Sequence, residues 1–77
     1  MNLQQAIQYF QIGKFEEAEL ILKRVVQVDS KCLPALHILG LIKGSQGNHI
    51  EAVNFLKKAV RLEANDPSLQ YNLAKAL

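Results

Sequence analysis

The segment GKFEEAELILKRVV at residues 13–26 returns 34 residues later as GNHIEAVNFLKKAV at residues 47–60. Six positions of the two segments are identical, and a seventh pair at the same offset joins Leu39 to Leu73. Both segments open on a glycine and carry an alanine five residues later, at Ala18 and Ala52. A period of this length indicates a structural repeat, in which each unit stacks on the next.

Helical periodicity continues outside these two segments. Apolar side chains recur at the i, i+3, i+4, i+7 spacing of one helix face, with glycine or proline between the runs. The pattern predicts five helices. The first runs from Leu3 to Gln11 and the second from Phe15 to Val28. The third has Pro34 in its first turn and ends at about Ser45, the fourth follows a cap at Asn48, and the fifth begins at Pro67. Gly13 and Gly47 are expected in the turns of two helical hairpins. The chain is therefore predicted to be all-α.

Length and charge exclude several classes of partner. The chain has 77 residues, of which 49% are apolar and 21% charged. A domain of this size buries only about 60 to 65% of its unfolded surface, so we expect modest stability. The net charge of +2 comes from interleaved side chains, and the basic pairs late in the second and fourth helices are explained by the helix dipole. We expect no nucleic acid and no membrane surface as partner.

The single cysteine bears on the cellular compartment. Cys32 has no second cysteine with which to form an internal disulfide, which favours a reducing environment, and the cytoplasm is the expected location. The amino-terminal residues lack the basic start and apolar run of a secretory signal. No stretch approaches the roughly 18 to 20 apolar residues of a membrane span.

The repeat, its hairpin glycines and its small residues resemble the tetratricopeptide repeat over nearly the whole chain. The resemblance implies a right-handed superhelical solenoid of antiparallel helix hairpins. A single domain at 1–77 would hold two full units, at about 1–32 and 33–66, and the first helix of a third at 67–77. Small side chains are expected where helices cross, at Ala6, Gly40 and Ala74, and at Ala18 and Ala52 on the facing helices.

In solenoids of this family the first helix of each hairpin lines a concave face that binds a peptide or protein segment. The resemblance assigns to that face Leu3, Ile7, Phe10 and Gln11 from the first helix, His37, Leu41, Gly44 and Ser45 from the third, and Tyr71 and Lys75 from the fifth. For Leu3, Ile7 and Phe10 a second interpretation stays open, in which they are core residues packed against an adjoining helix. The identity of the partner is not encoded in these positions.

Some positions depart from the family pattern. Lys43 stands where Tyr9 stands one unit earlier, and Gln5 replaces a leucine that both later units carry. Ser30 and Ala64 occupy the place of the proline that often closes a unit. These departures leave open the tightness of the first hairpin and the angle between units.

The family's best-known peptide site is absent. That site clamps a terminal carboxylate with lysine, arginine and asparagine on successive first helices. Leu3 and Ile7 stand where the lysine and asparagine of its first unit would be. A chaperone tail that ends in acidic residues is therefore not the expected ligand.

Signatures of catalysis, cofactors and metals are missing, so we expect no enzyme activity in these residues. Gly44 and Gly47 lack the spacing and the lysine of a phosphate-binding loop. Cys32, His37 and His49 match no known zinc spacing. No third group accompanies Cys32 and His37 for nucleophilic catalysis.

A second functional class is an accessory region of a larger enzyme. The opening of the chain and the segment Ala35 to Leu41 resemble the amino terminus of bacterial repeat proteins that continue into a glycosyltransferase domain. A chain that begins at Met1 and stops within a helix at Leu77 is what an amino-terminal fragment would show. The full-length gene would separate this class from a binding module.

The last helix is expected to leave an apolar face uncovered. That face consists of Leu69, Leu73, Ala76 and Leu77. Exposed apolar faces on small domains associate, which predicts weak self-association through the terminal helix. The alternative is that this helix acts as a frayed cap.

Overall fold

Five helices make up the fold in a computed structural model, which describes residues 2–77. They are Leu3–Gln11 (α1), Phe15–Val28 (α2), Leu33–Ser45 (α3), His49–Leu62 (α4) and Pro67–Ala76 (α5). α1 packs against α2 and α3 against α4 as hairpins, and α2–α3 and α4–α5 contacts join successive hairpins. The predicted all-α fold and its solenoid arrangement are confirmed.

The helices begin where the sequence supplies capping side chains. Asn2 accepts a hydrogen bond from the Gln5 backbone N–H at 2.9 Å, and the Gln5 side chain accepts one from the Asn2 N–H at 3.2 Å. This reciprocal pair satisfies two donors at the start of α1. Asp66 accepts from the Ser68 N–H at 2.9 Å, and Pro67 follows it at the first position of α5, where a backbone donor has no helical acceptor.

The two hairpin turns repeat one geometry. Gly13 has φ +83° and Gly47 has φ +79°, a region in which a side chain would be strained. After the first glycine, the Lys14 N–H donates to the Tyr9 carbonyl at 2.8 Å. After the second, the Asn48 N–H donates to the Lys43 carbonyl at 2.9 Å. Because donor and acceptor both shift by 34 residues, the repeat extends to the backbone hydrogen bonds.

The core lies around α3, which packs against both α2 and α4. Its larger cluster consists of Ala6, Ala18, Ile21, Leu22, Ala35, Leu39 and Ile42. A second cluster of Leu36, Ala59 and Leu69 joins α3 to α4 and α5. Burial of these side chains stabilises the fold by roughly 25 cal/mol per Å² of apolar surface removed from water.

Small residues allow the close crossings that the repeat predicts. Ala6, Ala18 and Ala52 are fully buried. Gly40 is buried as well, beneath the side chain of Leu56 on α4. Ala74 on α5 is exposed, since no helix within residues 2–77 follows to cover it.

Candidate functional site

A groove of about 300 Å³ opens where the end of α3, the start of α4 and the end of α5 meet. Its lining consists of Gly40, Leu41, Gly44 and Ser45 from α3, His49, Ala52 and Leu56 from α4, and Asn72, Lys75 and Ala76 from α5. Its floor is apolar, and the polar side chains Ser45, His49 and Lys75 come from helix ends, while Asn72 lies in the middle of α5. This composition is typical of a surface that binds an apolar anchor with a few directed polar contacts.

The groove is explained by what fills the same place one repeat earlier. In the first hairpin, the rings of Phe10 and Phe15 lie against each other, with centroids 5.4 Å apart and planes inclined by 38°. Both rings also pack against the main core cluster. At the 34-residue offset these two positions are Gly44 and His49. The second hairpin therefore lacks two phenyl rings that the first one carries.

Gly40 and Gly44 lie one turn apart on α3, and packing requires glycine at the first position but not at the second. A Cβ at Gly40 would stand 2.7 Å from Cγ of Leu56 and 2.8 Å from its Cδ2, which is too close for any side chain. A Cβ at Gly44 would meet only the Cβ of Ala52, at an ordinary 3.9 Å. Gly44 does not have a positive φ either. Since glycine costs a helix about 0.5–1 kcal/mol relative to alanine, Gly44 weakens α3 without a packing or backbone requirement.

The polar rim of the groove carries positive charge. The Lys75 ammonium lies 5.3 Å from the centre of the Tyr71 ring, in a cation–π contact. Among residues 2–77, Lys75 has no carboxylate partner within 4.0 Å, and the lining holds no acidic side chain. Asn72 and His37 lie within hydrogen-bonding distance, 2.8 Å from Nδ2 to Nε2, and link α5 to α3.

The structure separates the residues assigned to the concave face into two groups. Leu41, Gly44, Ser45 and Lys75 line the groove, while His37 and Tyr71 border it through their contacts with Asn72 and Lys75. The α1 residues lie elsewhere: Leu3 and Phe10 pack against the core of the first hairpin, Ile7 is half-buried, and Gln11 is exposed. For Leu3 and Phe10 this packing favours the core interpretation. A binding role for any of the ten residues stays a prediction.

Six residues that line the groove lie outside the face assigned from the sequence: Gly40, His49, Ala52, Leu56, Asn72 and Ala76. The sequence suggests only one role for His49, as a zinc ligand with Cys32 and His37, and their spacing does not support that role. The signal that identifies it was available in the 34-residue comparison, which aligns His49 with Phe15 and Gly44 with Phe10. Because both phenylalanines of the first hairpin are replaced in the second, the comparison indicates an unfilled space in the second hairpin, which neither replacement alone would indicate.

An ion cluster centred on the buried Lys43 joins the first hairpin to the second. Lys43 is only 8% exposed, and its Nζ lies 2.9 Å from Oε2 of Glu19 and 3.1 Å from Oε2 of Glu51. Glu19 also binds Nζ of Lys23 at 2.9 Å and Nε2 of Gln46 at 3.2 Å. Lys43, the departure from Tyr9 noted in the sequence, is therefore the centre of a cross-hairpin network.

Protonation equilibria reflect this network. Burial alone would raise the pKa of Glu19, but hydrogen bonds from Lys43, Lys23 and Gln46 outweigh burial and lower the pKa from 4.5 to about 2. The hydrogen bond to Glu19 raises the pKa of Lys43 against the opposing effect of burial, and Glu51 adds to the increase. At about 1.36 kcal/mol per pKa unit, the Glu19 shift corresponds to at most about 3.4 kcal/mol, and solvent screening reduces this. Paired in this way, the cluster serves stability rather than proton transfer.

Neither a metal-binding cluster nor a membrane-spanning helix is present in the described part of the chain. No three His, Cys, Asp or Glu side chains of residues 2–77 come together as metal ligands. None of the five helices has the length and apolar composition that crossing a membrane requires.

Comparison with known proteins identifies a family and several partial relatives. The family model of the tetratricopeptide repeat protein 21 C-terminal ARM domain matches residues 2–77. The rhomboid protease GluP of Bacillus subtilis is 37% identical over 73 residues, which cover 94% of this chain and 14% of GluP. Protein O-mannosyl-transferase TMTC1 is 31% identical over 58 residues in mouse and in human, covering 75% of this chain. The chain spans 6% of the mouse protein and 7% of the human one.

Proposed function

Because this chain belongs to the family of the tetratricopeptide repeat protein 21 C-terminal ARM domain, a helical-repeat family, we propose that it is a protein-interaction module. It binds a peptide or protein segment on its concave face, where α3 and α5 border the groove. Families of this kind are typically non-catalytic, and the two repeats with a following helix act as a scaffold in one domain. The partner is a protein rather than nucleic acid or membrane, since the basic side chains are interleaved with acidic ones.

The groove between α3 and α5 is the observation that carries this proposal. It combines an apolar floor with Lys75, Asn72 and His49 at its edge, as peptide-binding grooves do. We expect the module to work in the cytoplasm, because Cys32 is a free thiol with no second cysteine in the chain.

Capture of partners by matched variants tests the proposal. The binding-face variant combines Leu41→Glu with Tyr71→Glu, and the control variant combines Leu20→Glu with Val28→Glu on α2. Leu20 and Val28 are 64% and 92% exposed, so the control adds the same charge with little effect on packing. Phe10 is left unchanged because it packs against the core. Circular dichroism first establishes that both variants are folded.

The expected result is a protein retained from lysate by the parent and the control but lost by the binding-face variant. Retention by all three would show that binding uses another surface. Loss by both variants would show that negative charge, rather than the site, abolishes retention. Either result would overturn the assignment of the face.

A second candidate function is an accessory region of a larger enzyme, such as a glycosyltransferase. The relatives favour it, because a protein named as a mannosyl-transferase and one named as a protease each match this chain over 14% of their length or less. In that case, deleting residues 2–77 from the full-length enzyme would raise KM and leave kcat unchanged. An unchanged KM, or a gene that holds repeats alone, would exclude this candidate.

A further inference from the structure

We propose that the groove between α3, α4 and α5 receives the phenyl ring of a phenylalanine from a partner peptide, with a carboxylate of that peptide bound to Lys75. This inference rests on the proposed function and names the chemistry of the partner. It makes the groove an aromatic-acidic recognition site.

The first argument is the occupant of the equivalent space in the first hairpin. The floors of the two spaces correspond residue by residue at the 34-residue offset, with Ala18 matched by Ala52 and Leu22 by Leu56. All four of these side chains are buried. In the first hairpin the rings of Phe10 and Phe15 pack against the cluster that contains Ala18 and Leu22, whereas in the second hairpin Ala52 and Leu56 line the groove. A surface shaped to pack against phenyl rings from within the chain can pack against one from another chain.

The second argument is the choice of glycine at position 44. Packing does not require it, because a Cβ there would have an ordinary neighbour at 3.9 Å, and a positive φ does not require it either. A larger residue would favour the helix and close the groove. Glycine keeps open a space that the chain itself leaves unfilled.

The third argument is charge. Lys75 is the cation of the groove, no acidic side chain lines it, and Lys75 has no carboxylate within 4.0 Å among residues 2–77. Asn72 and Ser45 add polar groups from the two helices on either side. Neighbouring helices lie about 8–10 Å apart, a distance that two or three residues of extended peptide span. A carboxylate about two residues from the phenylalanine therefore reaches Lys75.

The probe is an acetylated and amidated six-residue peptide, glycine and serine except for phenylalanine at its third and aspartate at its fifth place. Binding is measured by titration of the isotope-labelled chain in heteronuclear NMR. We expect the largest shifts at the amides of Gly44, His49 and Ala76. Replacing phenylalanine with alanine in the peptide weakens binding about tenfold or more. Replacing aspartate with asparagine weakens it about two- to fivefold.

Two variants of the chain locate the contacts. Gly44→Phe with His49→Phe rebuilds the ring pair of the first hairpin in the second, so it fills the groove and abolishes binding. Lys75→Gln makes the aspartate and asparagine peptides bind equally, while the phenylalanine requirement stays. Shift mapping on the unaltered chain gives the site independently of whether the filled variant folds.

Several outcomes overturn the inference. They are no binding at millimolar peptide, equal binding of a leucine peptide, unchanged binding by the filled variant, or an aspartate preference that survives Lys75→Gln. These results leave the proposed function standing if the binding-face variant still loses its captured protein. Failure of that capture experiment, by contrast, removes the interaction module itself.

Discussion

A matched pair of substitutions on α3, Gly40→Ala and Gly44→Ala, tests how the groove and the helix crossing are built. Both add one methyl group to the same helix, and both gain about 0.5–1 kcal/mol of helix propensity. At Gly44 the new Cβ meets only Ala52, at 3.9 Å, so nothing offsets this gain. We expect Gly44→Ala to raise the free energy of unfolding by about 0.5 kcal/mol, because the site lies in the last turn of the helix.

At Gly40 the same methyl group would lie 2.7 Å from Leu56 Cγ. Leu56 is 2% exposed, and both its Cγ and its Cδ2 lie too close to the new methyl group, so either this side chain leaves its packed position or α3 and α4 separate. Overpacking of this kind costs about 1–3 kcal/mol, which exceeds the propensity gain. We expect a net loss of about 1–2 kcal/mol, and a difference between the two variants of about 2 kcal/mol.

Urea unfolding followed by circular dichroism at 222 nm measures both free energies. For a domain of this size, a difference of 2 kcal/mol corresponds to roughly 8–16 °C in Tm. The slope of free energy against urea should be the same for parent and variants, which shows that the unfolded states are comparable. If Gly40→Ala is as stable as Gly44→Ala, the steric argument for the close crossing is wrong, and with it the contrast that singles out Gly44.

Three further predictions concern the ion cluster and α5. Glu19→Gln should lower stability at neutral pH by about 1–2 kcal/mol, since its carboxylate accepts charged hydrogen bonds. Because the folded-state pKa of Glu19 is lowered from 4.5 to about 2, this deficit should shrink as pH falls from 4.5 to 2, whereas the exposed Glu63→Gln control should follow the parent. Lys43→Ala should cost about 2–3 kcal/mol, because it removes the buried stem and the ammonium that donates to Glu19 and Glu51; Lys43→Met keeps most of the volume but also removes the charge, so a Met variant as stable as the parent would contradict the electrostatic explanation. The expectation that Leu69 belongs to an uncovered face of α5 is wrong, because it is 1% exposed and packs with Leu36 and Ala59. Leu77 is 78% exposed, and sedimentation equilibrium should show weak association of the chain that Leu77→Ser reduces, whereas a strict monomer at millimolar concentration would exclude it.

Local signals explain why the helix bounds could be predicted from sequence. Leu3–Gln11 and Phe15–Val28 have the predicted ends, and Pro67 opens α5 as expected. Each end depends on residues within four positions of it, such as the Asp66 cap or the positive φ of Gly13. Signals that act over so few residues can be read directly from the sequence.

The site was only partly predictable, because its parts come from distant segments. Asn72 lies 35 residues from the His37 it contacts, and Lys43 lies 24 residues from Glu19. The sequence marked Lys43 as a departure from Tyr9 but contained no sign that two carboxylates would meet it. Phe10 was assigned to the concave face by position, and its contact with Phe15 depends on the angle of the hairpin.

The sequence by itself determined the repeat, the five helices and the turns between them, because periodicity, caps and glycines act over a few residues. Only the tertiary structure decided that Lys43 is buried between Glu19 and Glu51, and that the second hairpin has an open groove where the first has two rings. Both results depend on how closely α3 approaches its neighbours. That distance is set by the packing of buried side chains against one another, and no single segment encodes it.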